Sequence, residues 1–207
     1  MKAFDALLLL FVKHPVPGQT KTRLAAGIGH ERALAAYGAL LRHLRQQAEA
    51  TQAEVAVFYG NERPADDLWA ETGWPRQLQQ GQDLGARMQQ AFAWGFAQGY
   101  RRIVLVGSDI PALTHQIIDE ALAQLQTHPV AIGPATDGGY YLIGLSQPFY
   151  RVFTHKTWST PSVLSDTLAD LAAAGLTPYF APTLRDVDTV EDLAGTFLAS
   201  FVEEAGE

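Results

Sequence analysis

Three acidic stretches of this chain each follow an apolar run. Asp109 comes after Arg102-Ile103-Val104-Leu105-Val106, Asp137 opens Asp137-Gly138-Gly139, and Asp186 and Asp188 stand in Asp186-Val187-Asp188-Thr189. A fourth stretch, Gly18-Gln19-Thr20-Lys21-Thr22-Arg23, follows the first apolar run and is basic. Carboxylates hold hard divalent cations through oxygen. Arg grips phosphate as a planar fork and Lys as a mobile point charge. Converging from strand ends, these groups describe metal-dependent chemistry on a nucleotide. Mg2+ typically takes one or two carboxylates plus substrate phosphates and water, so Asp109 with Asp188 is a sufficient set for Mg2+ or Mn2+. Asp186 lies two residues before Asp188 and faces the same way on an extended chain, so either can be the ligand.

Such groups converge only if elements carry them to one edge. Ala6–Val12, Glu54–Tyr59, Arg102–Val106, Val130–Gly133, Tyr140–Leu145 and Leu176–Ala181 read as strands, with Arg76–Leu78 a brief edge strand. His30–Glu49, Leu84–Gln98, His115–Gln126, Thr160–Ala174 and Thr189–Val202 read as helices. Asp66–Trp69 reads as a helical turn, and His14 to Gly29 as a loop. This alternation predicts an α/β fold: a single-domain three-layer α/β/α sandwich with a mostly parallel, Rossmann-like sheet and right-handed crossovers. Tyr140–Leu145 follows its predecessor after only a short turn, so it runs antiparallel or inserts elsewhere in the sheet.

Each loop has a plainer reading beside the chemical one. The Gly18–Arg23 loop fits phosphate binding, and it also fits a solvated basic turn. It is not a phosphate loop of the NTPase kind, which needs Gly where Thr20 and Pro15 stand. Ser108 and Asp109, ahead of Pro111, suit a turn as well as a site. Asp188 with Glu191 fits a capping box for the last helix, and its spare lone pairs still suit a cation. Gly138 and Gly139 allow close approach to a ligand, or form a hairpin-like turn with Tyr140 in the packing. Asp83 opens a helix whose amides can face a ligand, and plain capping explains it equally. Trp158 closes over an acceptor or belongs to the core.

Bulk properties narrow the class. Among 207 residues, 47% are hydrophobic and 18% charged, which suits one globular domain over residues 1–207. With 15 Lys and Arg against 22 Asp and Glu, the net charge of −7 argues against a general nucleic-acid binder. It leaves room for a local basic pocket. The chain has no Cys, which excludes disulfides and thiolate chemistry. The first apolar run is too short to span a membrane, where about 20 residues are needed, and its flanks do not suit a signal peptide. A cytoplasmic protein is expected. The six His show no zinc spacing, no Gly-x-Ser-x-Gly elbow is present, and Gly27-Ile28-Gly29 is an incomplete dinucleotide fingerprint.

Taken in order, five motifs resemble the DUF2064 family. They run from Phe11 to Leu24, Gln80 to Met88, Gly107 to Pro111, Asp137 to Leu145 and Asp186 to Leu193. The family consists of GT-A-like proteins of the nucleotide-diphospho-sugar transferase superfamily, and is similar to the phospholactate guanylyltransferases. The resemblance implies metal ligation by Asp109 and Asp188, and nucleotide phosphates on Lys21 and Arg23 with Lys13 as a third cation. Gly18, Asp83 and Ser108 join the expected nucleotide site. Lys21, Arg23, Asp109 and Asp137 form the expected catalytic set, and Gly138, Gly139, Tyr140 and Trp158 the acceptor site. The expected reaction is nucleotidyl transfer from an NTP to a small phosphorylated or sugar-like acceptor. Glycosyl transfer from an NDP-sugar and a non-catalytic nucleotide-binding domain are the alternatives.

Overall fold

Ala6–Val12, buried at every position, forms β1, an interior strand of a seven-stranded sheet. The computed structural model describes residues 5–203, so the ends of the expected 1–207 domain lie outside the described residues. β1 is apolar throughout because both of its faces are covered. Leu8, Leu10 and Val12 face one core with α1 (Thr22–Ile28), α2 (His30–Ala50) and α4 (His115–Gln124). Leu7, Leu9 and Phe11 face a second core with α3 (Leu84–Ala97) and α5 (Val163–Ala173).

The remaining strands are β2 (Glu54–Tyr59), β3 (Arg76–Leu78), β4 (Arg102–Val106), β5 (Val130–Pro134), β6 (Tyr140–Leu145) and β7 (Tyr179–Phe180). Their order is β3-β2-β1-β4-β6-β5-β7. β6 alone is antiparallel to its neighbours, wedged between β4 and β5. The expected α/β sandwich is therefore present, and the short turn before β6 indeed reverses that strand. Chain order changes direction on either side of β1, and the carboxyl ends of β1 and β4 flank that switch point. Open sheets of this kind keep their ligand crevice there.

Several boundaries differ from the sequence reading. The loop expected from His14 to Gly29 contains α1, a seven-residue helix whose Leu24, Ala25 and Ile28 are buried. A helix that short depends on packing, so its periodic signal is weak. The helical turn expected at Asp66–Trp69 lies slightly later, as a 3-10 turn at Ala70–Thr72. The strand expected over Leu176–Ala181 shrinks to Tyr179–Phe180, with one further bridge between Ala135 and Leu184. The closing helix expected over Thr189–Val202 breaks into a 3-10 turn at Glu191–Leu193 and a short α6 at Ser200–Glu203. Gly195, at φ +73°, is where it breaks. No helix among the described residues is long and apolar enough to cross a membrane.

Candidate active site

The basic loop leaves β1 through a tight turn. Gln19 N–H donates to Val16 O at 3.1 Å, and Gly18 supplies the positive φ that turn requires. The buried Thr20 hydroxyl accepts from Val16 N–H at 3.0 Å. Lys21 follows in the left-handed region at φ 51°, costly for a residue with a side chain. That conformation turns its ammonium inward. Nζ donates to Val187 O at 2.6 Å and to Asp109 Oδ2 at 3.0 Å, and lies 3.4 Å from Asp188 Oδ1. Burial works against the Lys21 charge, but the Asp109 and Asp188 carboxylates outweigh it and raise its pKa above the ordinary value. Arg23 reaches the other oxygen of Asp188 at 3.1 Å from a largely exposed position.

Asp109 is delivered by β4. Val187 N–H donates to Asp109 O at 2.9 Å, which ties the Asp186–Asp188 segment to the β4 exit like an added rung of the sheet. One carboxylate oxygen from each of Asp109, Asp186 and Asp188 lies within 4.8 Å of the other two. Burial, then the Asp109 and Asp137 charges and to a lesser degree Asp188, push the Asp186 carboxyl up to about 6. Three partly buried carboxylates, with a lysine ammonium as their present counter-charge, are a donor set that suits a hard divalent cation. The two candidate ligands left open by the sequence are thus both in place. The expected capping box is not: Asp192, rather than Glu191, accepts from Asp188 and Thr189 N–H at 3.1 and 2.8 Å. Asp192 stands four and three residues beyond those amides, and the 3-10 turn leads it back to them.

Two cavities meet over these carboxylates. The larger, about 660 Å³, carries Lys13, Lys21, Arg23 and Arg87 together with Ser108. The smaller, about 290 Å³, is walled by Tyr140, Tyr141 and Trp158 and bears Asp137 and Asp186. Asp109 and Asp137 line both. Of the residues singled out from sequence, Lys13, Lys21, Arg23, Ser108 and Asp109 share the first cavity, and Gly139, Tyr140 and Trp158 the second. Three others sit behind the walls. Gly18 shapes its turn, and Asp83 caps α3 by accepting from Ala86 N–H at 2.7 Å. Gly138, at φ +90°, lies so close to Pro161 that a Cβ would come within 2.4 Å of its carbonyl oxygen. Asp137 itself accepts from Gly139 N–H at 2.8 Å.

Sequence reasoning assigned no role to Tyr37, Gln79 or Arg87, which line the basic cavity. Tyr37 is buried on α2. Its hydroxyl accepts from Lys13 N–H at 3.0 Å and shares a 3.0 Å hydrogen bond with Ser108 Oγ, so it joins the β1 and β4 exits. The only sequence signal for it is a polar tip within an otherwise Leu- and Ala-rich helix stripe. Burial raises its pKa against the hydrogen bonds from Ser108 and Lys13.

A mostly parallel seven-stranded sheet with one reversed strand matches the folds of a nucleotide-diphospho-sugar transferase and a cytidylyltransferase. Over residues 43–160 the chain matches the family described as an uncharacterized protein conserved in bacteria, DUF2064. The chain belongs to that family. A Desulfovibrio desulfuricans protein, provisionally described as a nucleotide-diphospho-sugar transferase, is 34% identical with a TM-score of 0.86, over 97% of this chain and 94% of its own. The CMP:2-keto-3-deoxy-manno-octonic acid synthetase solved with CTP has the same fold at 12% identity and TM-score 0.55, over 96% of this chain and 99% of that one. So does Rv0371C of Mycobacterium tuberculosis, solved with manganese, at 13% identity and TM-score 0.55 over 96% and 98%. No curated protein matches the chain.

Proposed function

We propose that the protein is a divalent-metal-dependent transferase that takes a nucleotide as donor, and that it transfers the nucleotidyl group of an NTP to a small acceptor. One observation carries this reading: a basic cavity and a cation-free cavity meet at Asp109 and Asp137. Such a pair suits two substrates whose reacting atoms meet at one point. Asp109 and Asp188, with Asp186 as a third ligand, would hold Mg2+ or Mn2+, which supplies a Lewis acid for the donor phosphates when bound.

The chain's own groups have separable roles. Lys13, Arg23 and Arg87 bind the phosphates, and Lys21 meets the charge that builds on them during transfer. The acceptor hydroxyl oxygen bonds to the α-phosphorus as the bond from that phosphorus to the bridging oxygen breaks. Pyrophosphate leaves with the electron pair, and the hydroxyl proton passes to Asp137. Asp137 is placed for this because it faces both cavities.

Glycosyl transfer from an NDP-sugar is the second reading. The description of the Desulfovibrio desulfuricans relative favours it. Four cations on the donor side favour a triphosphate over a diphosphate. Purified protein with Mg2+ or Mn2+, offered NTPs or NDP-sugars and a panel of acceptors, separates the two by the product released. Metal-dependent pyrophosphate, lost in Asp109→Ala, supports nucleotidyl transfer. Release of NDP alone selects sugar transfer. Nucleotide binding without either product selects a non-catalytic domain.

A further inference from the structure

We infer that the acceptor enters the smaller cavity as a hydroxylated ring of saccharide or cyclitol type, neutral or carrying an amine, and not as a phosphate ester or carboxylate. This rests on the transferase reading above and narrows it.

Charge is divided sharply between the two cavities. Among the described residues, every Lys and Arg that faces the crevice lines the larger cavity, while no Lys, Arg or His lines the smaller one. The cations on the segment leading to Trp158 are committed elsewhere. Arg151 bonds Asp170 at 3.0 Å, and Lys156, almost wholly buried, bonds the other oxygen of the same carboxylate. The charged groups of the smaller cavity are all carboxylates: Asp109, Asp137 and Asp186. The charges that act most on Asp186 all belong to carboxylates. An anionic acceptor would meet like charge with only neutral hydroxyls, and no Lys, Arg or His side chain, to offset it. A metal ion held by Asp109, Asp186 and Asp188 would be shared among three carboxylates and the donor phosphates, and Asp137 would remain.

The walls supply the complementary half of the argument. Tyr140 and Trp158 meet edge to face, ring centroids 6.5 Å apart at 89°, and form an apolar corner. An apolar corner opposite carboxylates fits a molecule with a C–H face and a rim of hydroxyls, because the face stacks and the hydroxyls donate. At about 290 Å³ the space holds a single ring rather than an extended chain. Ser159 and Thr160 line the rim beside Trp158. Ser159 is held at φ 63°, so its segment is set by packing rather than by its own preference.

The test pairs each ring compound with its own monophosphate, for example glucose with glucose 6-phosphate and myo-inositol with its monophosphate. Binding to the intact protein is read by saturation-transfer NMR with Mg2+, with and without a non-hydrolysable nucleotide. Thermal shift with nucleotide and Mg2+ is measured on the same sample. Neutral or aminated members should bind at least 100-fold more tightly than their monophosphates. Asp137→Asn should narrow that gap at least tenfold, and Trp158→Ala should weaken the neutral member about tenfold while leaving the nucleotide shift in place. Equal or tighter binding of the monophosphates overturns the inference, as does failure of both members of every pair. Absence of any nucleotide shift overturns the donor reading instead, and the arm run without nucleotide keeps the two failures apart.

Discussion

Lys21 and Asp109, 88 residues apart in sequence, are joined by a 3.0 Å ion pair at the meeting point of both cavities. The same ammonium also bonds Val187 O and faces Asp188, so one side chain offsets charge on two of the three carboxylates proposed to hold a metal. Lys21→Met therefore removes their counter-charge. Asp109 and Asp188 keep 36% and 42% of their side-chain surface exposed, so the loss falls short of a fully buried pair. It should be about 1–2 kcal/mol, or about 2–8 °C in melting temperature for a chain of this size. Mn2+ or Mg2+ should restore more of that loss in the variant than it adds to the wild type, while turnover falls by about 10²- to 10³-fold. Melting curves in EDTA and in Mn2+ decide it. An unchanged metal response would mean that the ammonium and the cation do not compete for the same oxygens.

Asp186 gives the stability a pH dependence of predictable sign. Its ordinary value is 3.8, and burial with the neighbouring carboxylates raises it to about 6 in the folded protein. Between those values the native state holds a proton that the unfolded chain has released, so the stabilisation is present at low pH and lost as pH rises through about 6. Asp186→Asn is permanently neutral. Its melting temperature, measured in EDTA, should gain on the wild type as pH rises from 4.5 to 7.5. Saturating Mn2+ should shrink that gain, because a cation needs the ionised form. A difference that stays flat across the range would contradict the environment described for Asp186.

The strand that delivers Asp109 is legible because four apolar residues, Ile103–Val106, run out shortly before a carboxylate and a proline. Lys21 and Arg23 were legible as a basic loop, and both do face the crevice. What the sequence concealed depends on distant packing. Lys21 points at carboxylates because its backbone is left-handed and Val187 lies 166 residues away. α1 folds only because α2 and the sheet cover its three buried residues. The split between a basic and a cation-free cavity requires knowing that Lys156 and Arg151 turn toward Asp170. Gly195 was visible in sequence, but the periodic pattern across it outweighed the break it makes.

Tyr37 couples the two strand exits, and its hydroxyl can be deleted without changing the ring. Tyr37→Phe leaves the Lys13 N–H without its 3.0 Å acceptor and frees Ser108. The cost should be about 1–3 kcal/mol, because a polar group within the structure loses its partner. Hydrogen exchange at the Lys13 amide should quicken, and nucleotide affinity should fall several-fold as Lys13 loses its fixed position. The Mn2+ response should survive, since Tyr37 does not touch Asp186 or Asp188. Unchanged exchange at Lys13 would show that the β1 exit is held by other contacts.

Gly85 tests how Trp158 is seated. Within a helix, Gly→Ala ordinarily gains up to about 1 kcal/mol. Here a Cβ would come within 2.2 Å of Phe153 O and 2.6 Å of Trp158 Cζ2. Backbone oxygen cannot swing aside as a side chain can, so the 153–158 segment must move, at about 1–3 kcal/mol. That movement pulls Trp158 away from Tyr140 and opens the smaller cavity while leaving the basic one alone. Gly85→Ala should raise the acceptor KM about tenfold, alter tryptophan emission and leave the nucleotide-induced thermal shift intact. Loss of nucleotide binding instead would mean that the two cavities are not independent, and that α3 positions both substrates together.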